Sequence, residues 1–237
     1  MGRPRTDIQP RIVASARARF LHDGVDGASL REIAAAAGTS VGMIHYYFKT
    51  KDDLFFAVVE EVYARLLADF SVALAPGGPV RERLGRLFRR FGTASRKEID
   101  VLRLVIREAL VSSERLQRLV RRFRAGHLPL VLGALAEGVA QGDVDAETPL
   151  PILLMCVAGM AVIPQIVRRR GGDMPPFAGL PRDEALAAIT LDLLFRGIGP
   201  RTSGPGRSGM PAPPAPGAHR LETARTKQKR RAPGNLD

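Results

Sequence analysis

Residues 29–51, SLREIAAAAGTSVGMIHYYFKTK, restrict the fold of this chain more than any other stretch. Ser29, followed three positions later by Glu32, has the pattern of a capping box and predicts a helix start. Leu30, Ile33, Ala34 and Ala37 then recur at helical spacing. Gly38 marks the stop, because glycine takes the left-handed backbone at little steric cost. Ser40 is an N-cap for a second helix, from Val41 to about Phe48, with Ile44 and Phe48 facing inward. Two short helices joined by a tight glycine turn predict a helix-turn-helix, with a third helix starting after Thr50.

The second of these helices carries no charge between Val41 and Phe48. It is too short to bury every side chain, so Tyr46, Tyr47 or both are exposed. Lys49 and Lys51 follow at once. An uncharged face offering hydroxyl, imidazole and small apolar groups beside lysines suits the major groove of DNA. The plainer alternative is a helical hairpin packed on its own core. The residues expected at DNA are Ser29, Thr39, Ser40, Val41, Gly42, Met43, His45, Tyr46, Tyr47, Lys49 and Lys51. Lys51 sits at the positive end of the following helix, an unfavourable place for a cation that a phosphate would make favourable.

Ile12, Ala16 and Phe20 on a first helix, Gly24, the run Ser29-Leu30-Arg31-Glu32-Ile33-Ala34 and then Ala37-Gly38-Thr39-Ser40 are followed by Gly42, Ile44, Tyr46-Tyr47-Phe48, Lys51 and Leu54. In order and spacing, residues 8–56 resemble the DNA-binding domain of the TetR family of bacterial transcriptional regulators. His45 departs from the tyrosine that the family commonly carries there, and Met43 from a small or hydroxyl residue. The resemblance implies an all-α fold: an N-terminal three-helix DNA-binding domain (1–56) and a C-terminal helical domain for effector binding and dimerisation (57–198). It further implies a homodimer, a palindromic operator in double-stranded DNA, and repression relieved by a small-molecule effector. The alternative function is a non-specific architectural or nucleoid-associated DNA-binding protein.

A formal charge of +12 favours a polyanionic partner without saying which. The single cysteine, Cys156, lies in the apolar run Leu153 to Ala158 and reads as a small buried hydrophobe. One cysteine excludes an intramolecular disulfide and fits the cytoplasm. The opening MGRPRTDIQPR lacks the apolar segment of a signal peptide. Leu150 to Val167 is the most apolar stretch; Pro151 and Pro164 interrupt it, and a buried core helix is expected rather than a membrane span.

No catalytic residue or metal site is expected. The sequence holds no phosphate-binding glycine loop and no dinucleotide fingerprint. His22, His45, His127 and His219 have no metal-ligand spacing. Asp52-Asp53 and Glu60-Glu61 read as solvated pairs on helix surfaces. The chain is therefore read as a binder without a cofactor, not an enzyme.

Along the chain, helices are predicted at about 8–22, 51–74, 80–95, 98–112, 113–142 with a kink or split at Pro129, 149–170 and 182–197. Ser113 is the expected cap of the fifth, and Thr148-Pro149 that of the sixth. Gly2-Arg3-Pro4-Arg5 reads as a basic arm. Residues 199–237 read as a disordered tail rich in proline, glycine and basic residues. From Pro200 the tail holds eight Lys or Arg against two acids, hence +6 of the +12. Following the resemblance, Phe88, Phe91, Arg107, Phe123 and His127 are candidates to line an effector pocket. Each phenylalanine is equally consistent with core packing. Leu186, Ile189 and Leu193 are candidates for the dimer face.

Overall fold

The computed structural model describes residues 8–198, and every regular element among them is an α-helix. In chain order these are α1 (Ile8–Gly27), α2 (Leu30–Ala37), α3 (Val41–Tyr47), α4 (Lys51–Ala73) and α5 (Val80–Gly92). They are followed by α6 (Arg96–Val111), α7 (Ser113–Arg124), α8 (His127–Ala140), α9 (Leu150–Gly171) and α10 (Asp183–Ile198). The expected basic arm and tail lie outside the described residues.

The N-terminal helices close on Ile12, Ala16, Phe20, Val25, Ile33, Ile44 and Phe48, all buried. Each large apolar side chain buried in this way contributes about 1.5–3 kcal/mol. The same core runs on without a break through Leu54, Phe55, Val58, Val59 and Val62 of α4. α4 thus belongs to both halves: its first turns pack on α1 and its remainder against α5, α6 and α8. α10 lies on α5, and α9 packs against α5, α6, α8 and α10.

Local chemistry explains the boundaries and where they differ from expectation. α1 runs past its predicted end to Gly27, with a break at Gly24, whose φ of 81° only glycine adopts without strain. A Cβ there would also fall on the guanidinium of Arg107. Ser112, not Ser113, caps α7: its Oγ accepts the N–H of Arg115 at 3.2 Å. The predicted 113–142 helix divides at Ala125-Gly126, ahead of Pro129, which falls in the first turn of α8 where its missing N–H costs nothing. α9 starts after Pro149, with no hydrogen bond from a Thr148 cap, and takes Pro151 in its first turn.

α9 is not the buried core helix expected from its composition. Leu153, Val157, Ala161 and Gln165 form its buried face, whereas Ile152, Met155 and Ile163 are exposed. Its length and composition would allow it to cross a membrane, and its outward apolar face stands uncovered in the single chain. On α10, Leu186, Ala187, Thr190 and Leu194 point into the chain, while Ile189 and Leu193 point out, about half exposed. Leu186, expected at a dimer face, lies one turn from Thr190 and two from Leu194, on the face that α10 turns to its own chain.

Candidate nucleic-acid interface

α2 and α3 are held at a fixed angle by caps at each end of the turn. Ser29 Oγ accepts the N–H of Glu32 at 3.5 Å. Only half of the expected capping box forms, because the Glu32 carboxylate pairs with Arg19. Gly38, at φ 63°, closes α2: its N–H reaches the Ala35 carbonyl at 3.0 Å and the Thr39 N–H reaches that of Ala34 at 2.9 Å. Ser40 Oγ accepts the N–H of Met43 at 3.3 Å and starts α3. Ile44 and Phe48 anchor α3 to the core.

These anchors decide which groups of α3 face outward. Val41 and Tyr47 are partly buried and pack against the core. Gly42, His45 and Tyr46, spaced i, i+3, i+4, are exposed along one face. Tyr46 is 77% exposed, and its ring meets that of Tyr47 edge-on at 5.1 Å. Met43 and Thr39 are half-buried, and Ser29 likewise. Ser40 and Lys49 are exposed. Lys51 is differently placed: its Nζ donates to the Asp26 carbonyl at 2.8 Å, fastening the end of α1 to the start of α4. Thr50 and Asp53 complete a reciprocal capping box at that start, at 3.0 and 3.1 Å. The resulting surface is uncharged on its most prominent face and able to donate and accept hydrogen bonds.

Behind this surface lies a buried ionic network that sequence reasoning missed. Glu108, 2% exposed, accepts the backbone N–H of Val25 at 3.3 Å, Arg107 Nε at 3.2 Å and Arg115 Nη1 at 2.7 Å. Arg107 Nη2 donates to the Phe20 carbonyl at 3.1 Å. Arg107, a sequence candidate for an effector pocket, is thereby engaged with the end of α1. Arg115 donates from Nε to Asp52 at 3.0 Å, and both of its Nη atoms reach Asp26. The Arg115 guanidinium holds the Asp26 carboxyl below its ordinary value. The network continues as a ladder between α7 and α4. Arg118 pairs with Asp53 at 3.1 Å and lies 4.1 Å above the Phe56 ring; Arg122 pairs with Glu60 at 3.0 Å and lies 4.4 Å above the Tyr63 ring. Asp52, Asp53 and Glu60 are thus partners of arginines, and Glu61 pairs with Arg17 and Lys97, where solvated pairs were expected. A basic stripe at 115, 118 and 122 complementary to an acidic one at 52, 53 and 60 was the available signal.

The other four effector-pocket candidates lie on α5, α7 and α8. Phe88 and Phe91 are buried in the core, with Phe91 5.2 Å from the Phe70 ring. Phe123 and His127 are 4.8 Å apart, and Tyr63 and Phe70 also lie against His127. Tyr63 Oη lies 2.9 Å from His127 Nδ1 and accepts the His127 backbone N–H at 3.2 Å. Burial, with the charge of Arg122 second, pushes the imidazole down to about 4. Burial likewise raises the pKa of the Tyr63 hydroxyl that lies against it.

Residues 12–58 match the family of bacterial regulatory proteins called the tetR family. The chain is 24% identical over 164 residues to the Probable HTH-type transcriptional regulator YttP of Bacillus subtilis (strain 168), covering 68% of this chain and 79% of that protein. Its fold is similar to that of the transcriptional regulator FadR from Bacillus subtilis, solved in complex with stearoyl-CoA. The TM-score is 0.61 at 20% identity, over 80% of this chain and 98% of that one. It is also similar to the fatty acid degradation regulator FadR from Bacillus halodurans, with TM-score 0.63, 20% identity and coverage of 85% and 100%.

Proposed function

We propose that this chain, which belongs to the tetR family through residues 12–58 and is a DNA-binding transcriptional regulator, acts as a cytoplasmic repressor, a homodimer on a palindromic operator released by a small-molecule effector. The observation that carries this reading is the exposed row Gly42, His45 and Tyr46 on a helix capped at its start and anchored by Ile44 and Phe48. A helix fixed in this way presents hydrogen-bonding groups to base edges at defined positions, which sequence discrimination requires. The apolar faces of α9 and α10 that stand exposed in the single chain supply a surface for a second copy.

Release requires two arrangements that the effector distinguishes. The Arg107–Glu108–Arg115 network joins α6 and α7 to α1 and α4, so a shift of the helical body would move the DNA-reading helices. The ring cluster of Tyr63, Phe70, Phe91, Phe123 and His127 offers an apolar environment, suited to an apolar effector. The likeness to the FadR proteins leaves the effector of this chain open.

Mapping of bound sites across the genome of the source organism tests the reading. A recurrent palindrome, bound by the purified protein far more tightly than random duplex, is the expected result. Coverage without a motif, with equal affinity for operator-sized and random DNA, would instead identify an architectural DNA-coating protein.

A further inference from the structure

α6 and α9 flank an open cleft of about 380 Å³, lined by Arg96, Ile99, Asp100, Arg169 and Arg170. Helical periodicity builds one wall: Arg96, Ile99 and Asp100 follow one another at i, i+3 and i+4 along α6, and Arg103, one turn further along the same face, pairs with Asp100. The end of α9 builds the other. The arginines of this cleft differ in what holds them. Arg169 is structural, donating to the carbonyls of Gly92, at 2.8 Å, and Ala94. Arg96 and Arg170 are exposed, and among the described residues neither makes a hydrogen bond or an ion pair. Arg103 has one acidic neighbour, Asp100, at 3.5 Å, and its Nη1 is buried without a hydrogen-bond partner. Burial and the like charges of Arg170 and Arg107 act against the charged form of Arg103.

The nearby acids do not neutralise this cluster. Glu98 is bound to Arg90 and to the Ser95 N–H, and Asp183 to Arg168. Three cations without full partners therefore face one carboxylate. For Arg103 this arrangement is unfavourable in the free protein, and an oxyanion bound beside it would offset the like charge of Arg170. Guanidinium groups match phosphate oxygens in forked, paired hydrogen bonds. A single carboxylate would leave two of the three cations unmatched. The cleft is also larger than a bare phosphate.

We propose that the α6–α9 cleft binds a phosphate-bearing small molecule, with Arg96, Arg103 and Arg170 on the phosphate oxygens. This inference concerns the ligand chemistry of the cleft and stands apart from how the chain reads DNA. The test is a calorimetric titration of the full-length protein, without DNA, with pyrophosphate, ADP and adenosine. Pyrophosphate and ADP bind, and adenosine does not. Arg103→Gln combined with Arg170→Gln weakens both by at least about tenfold, the loss of two charge-assisted contacts. Asp100→Asn strengthens both several-fold, a gain that a damaged fold cannot produce. Arg89→Gln, on a separate basic surface beside α10, changes neither. Absence of binding by both phosphate compounds overturns the proposal. An equal loss in Arg89→Gln does the same, since it marks general attraction to a basic chain, and so does an Asp100→Asn variant that binds no more tightly than the parent.

Discussion

Glu108 accepts the backbone N–H of Val25 at 3.3 Å, a hydrogen bond between residues 83 positions apart in the chain. It forms because Gly24 breaks α1 and leaves that N–H without a helical carbonyl. The same carboxylate neutralises Arg115, itself 5% exposed and shared with Asp26 and Asp52. One side chain thus serves a helix end and a buried charge.

Glu108→Ala leaves the Val25 N–H unpaired and Arg115 short of one partner. The expected loss of stability is about 2–4 kcal/mol, below the full cost of an orphaned buried charge because two aspartates remain. Chemical denaturation reads this directly. A loss under about 0.5 kcal/mol would show that water replaces the carboxylate and that the junction is open.

His45→Ala and Tyr46→Ala should each weaken operator binding by about 1–3 kcal/mol while leaving thermal stability unchanged, since both side chains point outward. Tyr47→Ala should differ by lowering stability as well, because Tyr47 packs partly against the core. Operator affinity and melting temperature measured on the three proteins separate the cases. An unaltered affinity in both His45 and Tyr46 variants would remove this face of α3 from the groove.

The helix-turn-helix was legible because its determinants are local. Ser29, Gly38 and Ser40 act within four residues of themselves, and the inward spacing of Ile33, Ile44 and Phe48 is a one-dimensional pattern. Lys51 was less legible. Its place on the first turn of α4 was apparent, but its partner is a carbonyl 25 residues earlier, at Asp26. The contact of Arg107 with the end of α1 was not legible for the same reason: a cation beside an apolar stripe gives no indication that Gly24, far away in sequence, makes room for it. On α10, the pattern showed an apolar helix but not which of two apolar faces its own chain would cover; packing on α5 decided for Leu186 and against Leu193.

Leu193→Arg should convert a dimer into a monomer, because Leu193 is 53% exposed beside Ile189 on the uncovered side of α10. A buried guanidinium without a partner at a two-fold interface costs several kcal/mol, and the axis applies the change twice. Leu186→Arg should instead unfold the region, as that position lies in the interior. Sedimentation velocity distinguishes the two. An intact dimer in the Leu193 variant would exclude this face as the interface.

His127 should make the fold sensitive to mild acid. Its folded pKa of about 4 lies below the value near 6.5 of an exposed imidazole. Below pH 6.5 the unfolded chain takes up a proton that the folded chain refuses, so unfolding gains as pH falls. The stability that His127 confers is whole above pH 6.5, declines between 6.5 and 4, and is exhausted below. The decline attributable to this group is about 1–3 kcal/mol, less than the full shift because the ring is only partly enclosed. His127→Gln keeps a polar group at that position and cannot titrate. Denaturation curves of both proteins between pH 7.5 and pH 4.5 should therefore diverge, with the parent steeper. Parallel curves would mean that the imidazole is protonated in the folded state and that the ring cluster is wetter than its packing indicates.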